Sequence, residues 1–114
     1  MASPRRGKAR IARIWRGVTP KSKADAYFEY LKKTGVEGYR ATKGNRGVFV
    51  LRRLEGERAE FLLVTLWDSF DAIRAFAGPD PERAVYYPAD KDFLLKLEPT
   101  VAHYEVLLAA ESGP

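Results

Sequence analysis

Cysteine is absent from the 114 residues, and histidine occurs once, at His103. The first absence excludes disulfides, a thiol nucleophile and any thiolate metal site. The second excludes a histidine-rich metal centre. A Ser-His-Asp arrangement lacks a serine in a recognisable nucleophile elbow. No glycine-rich phosphate loop, no carboxylate pair at catalytic spacing and no DNA-reading helix is recognisable. No apolar run approaches the roughly 20 residues that span a bilayer, and the charged start of the chain has no apolar signal core. Internal repeats and low-complexity segments are also missing. With nothing directing the chain elsewhere, the cytoplasm is the expected location, and no membrane partner is expected.

What is present suits one globular domain. The chain is 46% hydrophobic and 12% aromatic, enough for a real core. The net charge of +5 is unevenly spread: Arg5, Arg6, Lys8, Arg10, Arg13 and Arg16 face no acidic residue in the first sixteen positions, leaving 14 basic against 15 acidic residues elsewhere. The reading is a flexible basic arm over residues 1–9, followed by a single domain over 10–110. A basic arm can hold phosphate backbones nonspecifically, but a solvated extension is the expectation, and nucleic acid is not an expected partner.

Residues 11–18 alternate as a strand, with Ile11, Arg13 and Trp15 on one face and Ala12, Ile14, Arg16 and Val18 on the other. Thr19-Pro20 reads as a helix start, and Ala24, Tyr27, Phe28 and Leu31 form the apolar stripe of a helix that Gly35 ends. Residues 38–54 read as extended, interrupted at Gly44-Asn45-Arg46-Gly47. Gly56-Glu57 suits the tip of a hairpin, setting Glu55 opposite Arg58 and Arg53 opposite Glu60. The return strand ends in Phe61–Trp67, apolar on both faces except at Thr65. Asp68 or Ser69 caps a second helix carrying Phe70, Ile73, Phe76 and Ala77. Asp80-Pro81 reads as the start of a short helix ending near Tyr87-Pro88, residues 90–97 as one more helical turn, and 100–109 as the last strand.

The order strand, helix, strand, strand, helix, strand is the α+β, ferredoxin-like split βαβ pattern with an antiparallel four-stranded sheet. Right-handed crossovers place both helices on one face. Val48–Leu51 and Phe61–Trp67 nevertheless offer apolar side chains to the other face, and a strand apolar on both sides must be covered on both. The simplest cover is a second copy, sheet against sheet.

The segment Thr65–Val106, TLWDSFDAIRAFAGPDPERAVYYPADKDFLLKLEPTVAHYEV, resembles the antibiotic biosynthesis monooxygenase (ABM) superfamily. The resemblance rests on Trp67 with Asp68-Ser69, on Ala72-Ile73, on the Tyr86-Tyr87-Pro88 loop and on Glu98-Pro99 followed by Tyr104-Glu105-Val106. It implies a homodimeric α/β barrel with a small-molecule pocket between sheet and helices. It also implies the possibility of cofactor-independent oxygenation of an aromatic or phenolic substrate; the alternative is a non-catalytic ligand-binding or stress-related dimer. The haem-degrading members resemble one another in a first-strand Asn, a second-helix Trp and a following His. The single Asn here, Asn45, sits in a turn, Phe76 stands at the Trp position and Tyr86 near the His position, so no haem or other cofactor is expected. The quinone-forming members share Trp67, but Leu63 and Ile73 stand where an Asn and a Tyr are expected.

The candidate catalytic residues are His103, Trp67 and Tyr86; Trp15, Tyr87 and Phe76 are candidates for the substrate pocket. His103 can serve as a general base near neutral pH, or as a structural histidine at the sheet edge. In the strand order 4-1-3-2 it lies near Arg13 or Trp15, where a cation would keep it neutral. Trp67 can donate to or stack on an aromatic substrate, or anchor the core. Tyr86 and Tyr87 can orient a hydroxylated ligand, ligate haem iron, or simply pack. Arg16 and Arg40 can neutralise an acidic ligand.

Overall fold

The computed structural model describes residues 9–110. The basic arm expected over residues 1–9 lies outside them except for Ala9, and so does the polar tail from Glu111. Four strands form one antiparallel sheet: β1 (Ile11–Pro20), β2 (Asn45–Glu55), β3 (Arg58–Trp67) and β4 (Ala102–Glu105), in the spatial order β2-β3-β1-β4. The helices are α1 (Ala24–Lys33), α2 (Gly35–Ala41), α3 (Phe70–Ala77) and the single turn α4 (Asp90–Phe93). This is the ferredoxin-like α+β arrangement expected from the pattern of elements.

Period-two alternation sorts the two central strands. Ile11, Arg13, Trp15 and Thr19 of β1, and Ala59, Phe61, Leu63, Thr65 and Trp67 of β3, are buried on the helix side. They pack with Ala24, Tyr27 and Leu31 of α1, Tyr39 of α2 and Ile73 of α3 in one core. The opposite face carries Ile14, Leu62, Val64 and Leu66, all partly exposed, with Phe49 53% and Tyr104 58% exposed beside them. Arg16, Glu60, Glu98 and Arg53 form a chain of ion pairs across this face, with Arg16–Glu98 at 3.1 Å and Arg53–Glu60 at 3.0 Å.

The hairpin has the expected register, Glu55 opposite Arg58 and Arg53 opposite Glu60, with Gly56 at φ 59° at its tip. Ser69 caps α3, its Oγ accepting from Ala72 N at 3.1 Å.

Three local expectations are corrected. Thr19-Pro20 still belongs to β1, and the helical segment begins one residue later, as a 3-10 turn over Lys21–Lys23 that Pro20 precedes and that runs into α1. Pairing of β1 with β3 runs on to Pro20 opposite Arg58, and Lys21 N donates to Glu57 O, so ladder hydrogen bonds outweigh the capping signal. α1 ends just before Gly35, but Gly35 then opens α2, whose residues 38–41 read as extended in the sequence. Burial of Tyr39 against Trp67 and Phe76 outweighs the weak helix propensity of Gly35 and Gly38. Asp80-Pro81 starts a turn and not a helix, because the chain beyond it pairs instead through Arg83 and Thr100. The last strand is also shorter than read, four residues long.

Gly44 joins the two halves of the fold. It has φ 95°, a Cβ there would lie 2.5 Å from the Ala72 Cβ, and its carbonyl accepts from Asp68 N at 2.9 Å. Arg46 grips Asp68 through two 2.7 Å bonds just beyond. Gly44→Ala should therefore destabilise by about 1–3 kcal/mol in urea unfolding, the cost of forcing a β-carbon into a left-handed, occupied position. Gly56→Asn, at an open tip, should cost under about 1 kcal/mol.

Candidate functional site

Between the helices and the sheet lies a narrow cavity of about 10 Å³, room for about one water. Trp15, Tyr39, Phe76, Tyr87 and Asp90 are among its walls. It is small because aromatic side chains fill the interior. Tyr39 and Phe76 pack with ring centres 4.5 Å apart, and Trp67 lies 5.9 Å from Phe76 and 6.2 Å from Tyr39. A second cluster joins Tyr27, Tyr30, Phe61 and Phe93.

The loop covering the cavity is pinned by a buried carboxylate. Asp90 Oδ1 accepts from Tyr27 Oη at 2.8 Å, and its Oδ2 accepts from Tyr87 N at 2.6 Å. Ala89 N adds a bond to Tyr30 Oη at 2.9 Å. Burial foremost, then the Asp90 charge, pushes the Tyr27 pKa far upward.

Arg13 is the unusual residue of the interior. Only 1% of it is exposed. Its Nη2 donates to Arg83 O at 2.8 Å, while Nε and Nη1 are buried without partners. The guanidinium lies over the Phe76 ring, 5.6 Å from its centre. Burial lowers its pKa, and the Tyr39 phenol offsets part of that effect. Tyr39 is itself pushed up to about 12, by burial first and against the pull of Arg13, so at neutral pH it is an uncharged neighbour. Among the described residues, no carboxylate forms an ion pair with Arg13.

His103 is paired directly across from Arg13 in the sheet. Burial, and then the Arg13 charge, lowers its pKa, keeping it neutral at pH 7. Its Nε2 is buried without a partner, and its ring meets Phe70 edge-on at 5.2 Å. It sits beside Arg13 and not in the cavity wall.

The other candidates divide. Trp15, Tyr87 and Phe76 all line the cavity. Trp67 is fully buried, and its indole N–H is taken by Thr65 Oγ1 at 2.8 Å, an anchor's environment. The Tyr86 hydroxyl donates to Glu98 O at 2.5 Å. Arg16 is engaged by Glu60 and Glu98, and Arg40 lies exposed on α2 near Glu37. With Arg13 inside the core and Arg16 ion-paired, the basic run offers phosphates less than its charge count suggests.

Sequence reasoning missed Arg13 as a site residue, together with Tyr39 and Asp90. The signal for Arg13 was present, since it alternates between Ile11 and Trp15 on the buried face. Counting it with the basic arm hid it.

Comparison with solved structures places this architecture. A provisionally named antibiotic biosynthesis monooxygenase from Bacillus cereus superposes with a TM-score of 0.65 at 13% identity, covering 92% of this chain and all of that one. The fold is that of the antibiotic biosynthesis monooxygenase-type proteins. The haem degrader MhuD of Mycobacterium tuberculosis, solved with two haems in its active site, has a TM-score of 0.56 at 22% identity over 89% of this chain and 99% of its own. Rv0793 of the same organism has a TM-score of 0.56 at 21% identity over 92% of this chain and all of its own. No protein-family model and no curated protein matches the sequence.

Haem does not fit this ABM-type interior. As it stands, the closed cavity is far below the several hundred Å³ of an ordinary ligand pocket.

The raised tyrosines give an alkaline signature. Tyr27 and Tyr39 bind their protons more tightly when folded, so their contribution to stability is full below pH 10 and is lost as pH rises above it. Absorbance at 295 nm should show, of the six tyrosines, Tyr39 titrating at about pH 12 and Tyr27 later still or on unfolding. Tyr39→Phe should remove one of them and flatten the alkaline loss of stability.

Proposed function

We propose that the chain is a homodimeric small-molecule-binding protein whose ligand site is the helix side of the sheet, and that it oxygenates an aromatic or phenolic substrate without a cofactor. The observation that carries this reading is the set of buried polar atoms on the helix side of the sheet that lack a hydrogen-bond partner among the described residues: Arg13 Nε and Nη1, Trp15 Nε1 and, on the residue paired across from Arg13, His103 Nε2. Such groups cost about 1–3 kcal/mol each when left unpaired, and a ligand relieves that cost. His103, held neutral, takes the proton of an acidic C–H or O–H, and the resulting substrate anion reduces oxygen. Trp67 and Tyr86 shape and close the site, while Trp15, Tyr87 and Phe76 contact the substrate. Cytoplasmic location is part of the same proposal.

The other face supports the dimer. Ile14, Phe49, Leu51, Leu62, Val64 and Tyr104 lie on it partly or largely exposed, the kind of apolar arrangement that marks an interface. Light scattering should give about twice 12.9 kDa, and Leu62→Glu should give a folded monomer or aggregate; a monodisperse wild-type monomer removes the dimer from the reading.

A second reading, ligand binding without catalysis, is favoured by the internal hydrogen bonds of Trp67 and Tyr86. Oxygen consumption with anthrone-type phenols separates the two. The oxygenase reading expects wild-type turnover and a loss of about 10²-fold or more in His103→Ala, the usual worth of a general base. Equal rates remove His103 from the chemistry, and binding without turnover selects the second reading.

A further inference from the structure

The guanidinium of Arg13 is a fixed positive charge within the core. An unpaired buried charge is costly, and burial is ordinarily tolerated when an opposite charge and further hydrogen bonds satisfy it. Here Arg83 O satisfies one nitrogen, Nε and Nη1 make no well-formed hydrogen bond although the neutral Tyr39 phenol lies beside the group, and no carboxylate forms an ion pair with it among the described residues. The described groups around it do not supply the missing charge: Phe76 contributes a ring face, Tyr39 a phenol and His103 an imidazole paired across the strand. Asp90 is committed to Tyr27 and Tyr87.

We propose that Arg13 anchors a subsite for a planar aromatic monoanion, whose oxygens complete the hydrogen bonds of Nε and Nη1 and whose ring packs on Phe76 and Tyr39. The proposal rests on the helix–sheet interior being the ligand site and adds the ligand's charge and the residue that reads it. Phe76 and Tyr39 connect the two regions, since both line the cavity and both neighbour the guanidinium. The cavity holds no aromatic ring as it stands, so binding displaces a side chain. Phe76, Val85 and Tyr87 are the partly exposed members of the wall, and Tyr87, whose hydroxyl lies 2.5 Å from where a Gly38 Cβ would be, is the side chain that moves, leaving Phe76 as the packing surface. Carboxylates and phenolates share the required chemistry, a delocalised anionic oxygen on a flat ring.

The test uses the full chain and three isosteric probes: 1-naphthoate, 1-naphthamide, and 1-naphthol measured below and above its own ionisation. Calorimetry and thermal unfolding are run on wild type, Arg13→Met and Arg13→Lys. In wild type, naphthoate should bind at least tenfold more tightly than naphthamide, or naphthol should tighten at least tenfold on ionising; which of the two occurs identifies the carboxylate or the phenolate as the natural group. In Arg13→Met the preference for the anion should fall to about one. The ligand-free Met variant should melt no lower than wild type, because it loses an unpaired buried charge. A wild type that binds naphthamide as tightly as naphthoate, and does not discriminate ionised naphthol, overturns the anion subsite while leaving the pocket in place. No binding of any probe overturns both. A preference that survives in Arg13→Met overturns the role of Arg13. If Arg13→Met does not fold, the side-chain Nε signal in ¹H–¹⁵N spectra that disappears in Arg13→Lys decides: it must move with the anion and not with naphthamide, and a signal indifferent to both overturns the proposal.

Discussion

A guanidinium with no counter-charge among the described residues sits on β1, one of the two central strands, and the interior is arranged around it. Arg13 alternates inward between Ile11 and Trp15, so its position cannot be moved to solvent without inverting β1. Its carbonyl accepts from Thr65 Oγ1, which in turn accepts from the Trp67 indole, so the main chain that carries the charge also fixes the aromatic wall. Tyr39 and Phe76 complete that wall, and Arg83 O holds one nitrogen. The same charge helps keep His103 neutral across the strand pair. A core replacing Arg13 with a hydrophobic residue would be simpler to build, which is why the charge points to a ligand more than to stability.

The sheet divides the labour between its two faces. The helix side carries the polar groups that lack partners, and the opposite side carries apolar residues that lack cover. The first suits chemistry and the second assembly. The ABM-type fold is shared with proteins as different as a haem degrader and a provisionally named monooxygenase, and a shared fold does not transfer an activity. In this chain aromatic rings fill the interior between helices and sheet.

Much of the architecture was legible because it rests on local patterns. Strand alternation, the Gly56 hairpin tip and the Ser69 cap each act within a few residues, and each is found where it was expected. The failures share one cause. At Thr19-Pro20, Gly35 and Asp80-Pro81 a local signal was shifted or overridden by a distant partner: Arg58, the Trp67–Phe76 pair and Thr100 respectively. The site followed the same division. Trp15, Phe76 and Tyr87, read from the sequence as pocket candidates, line the cavity, whereas Asp90 has meaning only once α1 brings Tyr27 to it. Arg13 was legible by position and was concealed by the basic run around it.

The central claim is that ligand recognition occurs inside, at Arg13, and not on the bare face of the sheet. A crystal structure of the full chain with 4-bromobenzoate tests it most directly, since bromine is located by its anomalous signal. The account predicts a bromine peak inside, against Phe76 and Tyr39, with the carboxylate within hydrogen-bond distance of Arg13 Nε or Nη1. Bromine found only on the Phe49–Tyr104 face, or inside with its carboxylate turned away from Arg13, would contradict it.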